Sequence, residues 1–236
     1  MRFRVAEGNL ILLLCGYFIP AIASAQLPST IDLSLASSPA FSHLLRIAPE
    51  SSDQKFGSDL SNGIAFGDFN GDGYDDMAIG SPEYNHPGRV FCGSATIVFG
   101  NAELSGKNLN LQSPSPSVAT ITTFIGAEMN DVFGAAVAFG DFNADGFDDL
   151  AVGAPLASPN GRSEAGVVYV FRGGTSLVGT TIDLATTTPA STLRLLGSAG
   201  ADVINETGEV TDYQMGSSLA TCDFNGDSVS DLIIGA

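Results

Sequence analysis

Asp68-Phe69-Asn70-Gly71-Asp72-Gly73-Tyr74-Asp75-Asp76 returns as Asp141-Phe142-Asn143-Ala144-Asp145-Gly146-Phe147-Asp148-Asp149 and again as Asp223-Phe224-Asn225-Gly226-Asp227-Ser228-Val229-Ser230-Asp231. Each copy runs into a short apolar stretch that ends at glycine: 77–80, 150–153 and 232–235. Such runs suit buried strands rather than helices. One Asp/Asn/Gly run is ordinary turn chemistry. Three in one frame, with the same residue type at positions one, three, five and nine, demand a further reason.

Oxygen chemistry supplies that reason. Position one (Asp68, Asp141, Asp223), position five (Asp72, Asp145, Asp227) and position nine (Asp76, Asp149, Asp231) offer carboxylates, and position three (Asn70, Asn143, Asn225) an amide oxygen. Position seven (Tyr74, Phe147, Val229) offers its backbone carbonyl. Calcium accepts that mixture, and magnesium, which demands a stricter octahedron, fits it less well. Soft metals are disfavoured because no Cys or His lies inside a loop. Without a cation, each carboxylate pair repels by roughly 3 kcal/mol at about 5 Å and an effective dielectric of about 20. An EF-hand is excluded, since its twelfth loop position requires a bidentate Glu where this chain has Ile79, Val152 and Ile234.

The repeat is longer than its loop. Asp68 and Asp141 lie 73 positions apart, and Asp141 and Asp223 lie 82 apart, room for about four strands per repeat. Strand one is expected over 63–67 and 135–140, strand two after each loop, strand three over 95–99 and 166–171, and strand four over 119–125 and 191–196. All four are rich in β-branched and aromatic residues and bounded by Gly, Pro, Asn and Ser. Four-stranded sheets repeated about an axis are propeller blades.

Phe56-Gly57, Phe133-Gly134 and Met215-Gly216 precede the loops, and Gly80-Ser81-Pro82, Gly153-Ala154-Pro155 and Gly235-Ala236 follow them. On these motifs the chain resembles the FG-GAP repeat family, the β-propeller repeats also found in the head of integrin alpha subunits. The resemblance implies an all-β propeller of four-stranded blades, in a ring of seven, of which this sequence carries an arc of about two and a half. The divisions expected are 1–25 as a signal peptide, 26–55 as an N-terminal outer strand closing the ring, 56–132 and 133–214 as repeats one and two, and 215–236 as a truncated third. Ile31-Asp32-Leu33, Leu109-Asn110-Leu111 and Ile182-Asp183-Leu184 each stand ahead of a fourth-strand sequence, which marks the N-terminal segment as such a strand.

Composition agrees with an extracellular module. Arg2 and Arg4 precede an apolar run over 10–22 that ends at Ala23-Ser24-Ala25, the pattern of a cleaved secretory leader. The run is short for a membrane anchor, no second one follows, and Leu14 ahead of Cys15 disfavours a lipoprotein. The expected location is secreted, extracellular or cell-surface, a bacterial envelope included. A formal charge of −17 argues against nucleic acid and anionic membranes as partners. Cys92 and Cys222 occupy different places in their repeats, so free thiols or partners elsewhere are expected rather than a mutual disulfide. Asn205-Glu206-Thr207 is a lone glycosylation sequon.

Strand parity puts the acidic loops on one face and the connections over 81–89, 154–165 and 197–214 on the other. The third of these is about eleven residues longer than its counterpart. Loops of this kind carry function, and the resemblance implies a protein or glycan ligand on that face. The expected function is a secreted, calcium-binding, non-catalytic module for cell adhesion or protein interaction. Two alternatives stand beside it: the repeat portion of a larger extracellular enzyme, phospholipase D-like or another hydrolase, and a carbohydrate-binding envelope protein. His43 and His86 are the only imidazoles, and neither belongs to a catalytic motif, so no enzyme activity is expected of these residues.

Overall fold

The computed structural model describes residues 63–104, 119–198 and 214–236, together with the backbone of five short strands outside those stretches. The strands in chain order are β1 (Leu10–Leu13), β2 (Leu44–Ala48), β3 (Ile64–Gly67), β4 (Asp76–Ser81), β5 (Ser94–Val98), β6 (Asn108–Asn110), β7 (Ile121–Ile125) and β8 (Val137–Gly140). They continue as β9 (Asp149–Ala154), β10 (Val167–Phe171), β11 (Thr181–Asp183), β12 (Thr192–Leu196), β13 (Val203–Ile204), β14 (Val210–Thr211), β15 (Ser218–Cys222) and β16 (Asp231–Gly235). Two one-turn 3₁₀ segments, Pro159–Gly161 and Thr175–Leu177, are the helical elements among the described residues.

The first blade is β3-β4-β5-β7 and the second β8-β9-β10-β12, each an antiparallel meander from inner to outer strand. β15 and β16 pair antiparallel as the first two strands of a third. This is a partial β-propeller, with the four strands per repeat where the sequence places them. A fifth strand is added that sequence reading did not assign. β11, from the connection between strands three and four of the second repeat, lies parallel on β7 of the first blade. β6 lies on β2 in the same sense.

Both faces of the three inner strands of the second blade, β8, β9 and β10, are covered, and every residue in them is buried. Val167, Tyr169 and Phe171 point to the first blade, while Val168 and Val170 point to the third, the two-residue period of a strand. The first interface is aromatic: Phe124 stacks on Phe171 at 4.1 Å between ring centroids, and Phe133 meets Tyr169 edge-on at 5.4 Å. Such pairs add about 0.5–1.5 kcal/mol each beyond the area they bury. The second interface is built on smaller residues, Ala136, Ala138 and Ala151 with Val168, Val170 and Leu219.

Glycine sets how closely blades approach. A Cβ on Gly80 would lie 1.9 Å from the carbonyl oxygen of Gly134, and one on Gly153 would lie 2.0 Å from that of Gly216. The glycine that ends strand two therefore rests on the glycine of the Phe-Gly or Met-Gly pair in the next repeat, which gives both motifs one physical cause.

β1, which lies within the stretch read as a leader, pairs antiparallel with β2. The leader cleavage site, His43 and Asn205 lie outside the described residues. Among the described residues Cys92 is free and buried and Cys222 free and exposed.

Candidate metal centre

Each acidic loop spans the turn from the first to the second strand of its repeat, and its backbone is the same three times. Positions four and six adopt left-handed φ in every copy: Gly71 and Gly73, Ala144 and Gly146, Gly226 and Ser228. That wraps the chain around the position-one carboxylate. Asp68 Oδ1 accepts from the amides of Gly71 and Asp72, and its Oδ2 from that of Gly73 at 2.8 Å. Asp223 repeats the set with Gly226, Asp227 and Ser228, and Asp141 accepts from Asp145 and Gly146. Position five caps position seven, where Asp72, Asp145 and Asp227 accept the amides of Tyr74, Phe147 and Val229.

Position nine is the pivot. Asp76 is fully buried; it accepts the Phe69 amide at 2.9 Å and the Gly100 amide at 2.8 Å, tying the loop to the end of β5. Asp149 likewise holds the Gly173 amide after β10 and receives Asn143 Nδ2 at 3.1 Å. Asp231 takes the amides of Phe224 and Asn225. Burial pushes the Asp76 carboxyl up to about 6, with the Asp72 charge adding to it and the Gly100 and Phe69 amides opposing. Asp149 is raised by burial too, against the Gly173 amide and with Asp145 and Asp141. A fixed positive charge would relieve both groups.

The donor set fits a hard cation, being oxygen throughout, but among the described residues no three acidic, His or Cys side chains converge into a ready metal cage. The loop's oxygens are instead engaged by its own amides: Asn70 Nδ2 donates to Asp72 Oδ2 and Asn225 Nδ2 to Asp227 Oδ2, each at 2.9 Å, while the Asn70 and Asn225 amide oxygens accept the backbone amides of Asp72 and Asp227.

Sequence reading missed position eight. Asp68 N donates to Asp148 Oδ2 at 2.9 Å and Asp148 N to Asp68 O at 3.0 Å, joining the first loop to the second. Ser230 N donates to Asp141 O in the same way. The doubled Asp at Asp75-Asp76 and Asp148-Asp149 was the available signal. The Gly174 amide adds a bond to Phe69 O, so adjacent loops form one connected rim.

On the opposite face, a groove of about 700 Å³ opens between the first two blades, lined in part by Glu128, Asp131, Glu164, Tyr169 and Arg194. The Arg194 guanidinium lies 5.3 Å over the Tyr169 ring. Asp131 is buried there and its carboxyl is pushed up to about 6, by burial first and by Glu128, with the Glu128 amide and Arg194 opposing. Arg89, from the connection between β4 and β5, pairs with Asp183 at 2.6 Å and donates to the carbonyls of Gly126 and Ala127. His86 Nδ1 meets the same guanidinium at 3.1 Å, and since arginine only donates, that nitrogen is the acceptor. His86 is thus a structural partner of Arg89.

A family model described as FG-GAP repeat matches residues 62–91, 133–171 and 215–236. The chain is 32% identical to a phosphatidylinositol-glycan-specific phospholipase D of Bos taurus over 72% of its own length and 17% of that protein. It is 30% identical to the Homo sapiens counterpart, over 72% of this chain and 17% of that one. Integrin alpha-PS2 of Drosophila melanogaster is 36% identical over 51% of this chain and 8% of its own. The chain therefore spans under a fifth of the length of these relatives. It carries three FG-GAP repeats. No helix among the described residues is long and apolar enough to cross a membrane.

Proposed function

We propose that this chain of FG-GAP repeats is a secreted, calcium-binding propeller module that presents a binding surface for a protein or glycan partner and does no chemistry itself. The observation that carries the reading is the threefold recurrence of one loop geometry with oxygen donors at positions one, three, five, seven and nine. Calcium, when bound, supplies positive charge; the chain's own residues do the rest. Asp68 and Asp72, with their counterparts in the other loops, would hold the ion from the exposed side of the loop, and the buried position-nine carboxylate, which ties the loop to the strand beyond, would complete the set. The bound ion would offset the cost of burying Asp76 and Asp149, and so lock the rim that links neighbouring blades.

Adhesion or protein interaction places the partner on the face away from the loops, at the groove that holds Asp131 and Arg194. Secretion is supported by the leader pattern at 1–25. The likeness to phosphatidylinositol-glycan-specific phospholipase D supports a second reading, in which these repeats are the non-catalytic portion of a larger enzyme.

The test is calorimetric titration of the chain with calcium and with magnesium. The expected result is binding of calcium in preference to magnesium, with dissociation constants of about 0.1–1 mM, as in other extracellular modules. Asp72→Asn and Asp145→Asn should each remove about one equivalent. Absence of calcium binding at several millimolar would refute the reading.

A further inference from the structure

Outer strands in this fold take a parallel neighbour from the repeat that follows. β2 carries β6, with Ile47 opposite Leu109, and β7 carries β11, with Phe124 opposite Ile182 and Ile125 opposite Asp183. β12, the fourth strand of the second blade, has β10 on one side and no strand on the other among the described residues. The difference shows in exposure. Ile125 is 6% exposed and Thr122 is fully buried beneath the segment that leads into β11, whereas their counterparts Leu196 and Leu193 are 38% and 57% exposed.

An arginine stands at the same place in both repeats. Arg89 stands four residues before Gly93, which opens the third strand of its repeat, and Arg162 stands four before Gly166. Arg89 clamps the added strand through Asp183 at 2.6 Å. The Nε of Arg162 is buried with no hydrogen-bond partner among the described residues. A buried donor left unpaired is costly, and an incoming carboxylate would satisfy it.

We propose that the open edge of β12 is an acceptor for an extended strand of Ile-Asp-Leu pattern, added in parallel, with its isoleucine opposite Leu195 and its aspartate opposite Leu196, paired to Arg162. The occupant is the connection between strands three and four of a further repeat of this kind, because β6 and β11 both come from that connection. Among the described residues the outward N–H and C=O groups of β12 meet no further strand, the aspartate fixes the register, and the flanking apolar residues cover Leu193 and Leu196. The inference stands apart from the calcium reading.

The test uses the full chain and a fluorescent eight-residue peptide with the sequence of residues 179–186, followed by anisotropy. At β7 the tethered β11 outcompetes it, so the peptide reports on β12. Saturable one-to-one binding is expected, weakened at least tenfold by Arg162→Glu in the protein or by Asp183→Lys in the peptide, and regained in part when the two are combined. The peptide variant leaves the protein's folding untouched. Absence of saturable binding, or binding indifferent to both charge changes, would overturn the proposal.

Discussion

Gly134 shows what one residue decides. Its φ of 90° lies in the left-handed region, and a Cβ there would sit 2.2 Å from the Ser94 carbonyl oxygen. Gly134→Ala is expected to cost on the order of 3 kcal/mol, combining backbone strain with overpacking at the blade junction. Gly161→Ala provides the comparison: φ is again positive, at 76°, but no atom lies within 4 Å of the added carbon, so about 1 kcal/mol is expected. Urea unfolding of both variants checks the difference; equal losses would remove close blade approach from the explanation. Asp131 carries a pH dependence. Its folded carboxyl titrates at about 6 against an ordinary 3.8, so the folded state holds the proton more tightly than the unfolded chain. Its contribution is therefore most favourable below about pH 4 and declines as pH rises through 6. Asp131→Asn should stabilise the protein at pH 7 and flatten that window relative to the parent, measured by unfolding midpoints from pH 4 to 8. Parallel pH curves for the two proteins would contradict this assignment.

The element that matters most is the acidic loop, and its backbone was more legible than its side-chain bonding. Positions one, five and nine were readable because carboxylates recur there against any turn preference. Position eight was not, since Asp148 acts across the blade boundary, on Asp68 of another repeat, and only a fold brings the two together. The fifth strand escaped for the same reason: Ile182-Asp183-Leu184 was visible as a recurring segment, but its partners β7 and Arg89 lie 58 and 94 positions away in register. Asp148→Ala removes the acceptor of the Asp68 amide and should cost about 1–3 kcal/mol. Ser228 adopts φ 69° where the other two loops have glycine. Ser228→Gly should stabilise the chain by about 0.5–1 kcal/mol at saturating calcium, read from the same unfolding assay, and a destabilised variant would place the strain elsewhere.

At the scale of the whole molecule, blades are stable through their neighbours. Phe69 is buried against Phe99 and Phe139, the latter from the next blade, while its counterpart Phe224 on the third repeat is 83% exposed. Cys222 is exposed at the position where Gly67 and Gly140 have no room for a Cβ. All-β architecture, blade order and the face that bears the loops followed from the repeat alone, because a strand's two-residue period and strict antiparallel order leave little choice. The groove between blades did not, since Asp131, Tyr169 and Arg194 come from three separate segments. Calcium is the ligand we propose for the rim that joins these blades. The most direct measurement is the melting midpoint of the full chain in millimolar calcium against excess chelator. With free ion about tenfold above Kd, each site contributes roughly 1.4 kcal/mol, so three sites should raise the midpoint by several degrees. An identical midpoint in both conditions would contradict a calcium-held scaffold.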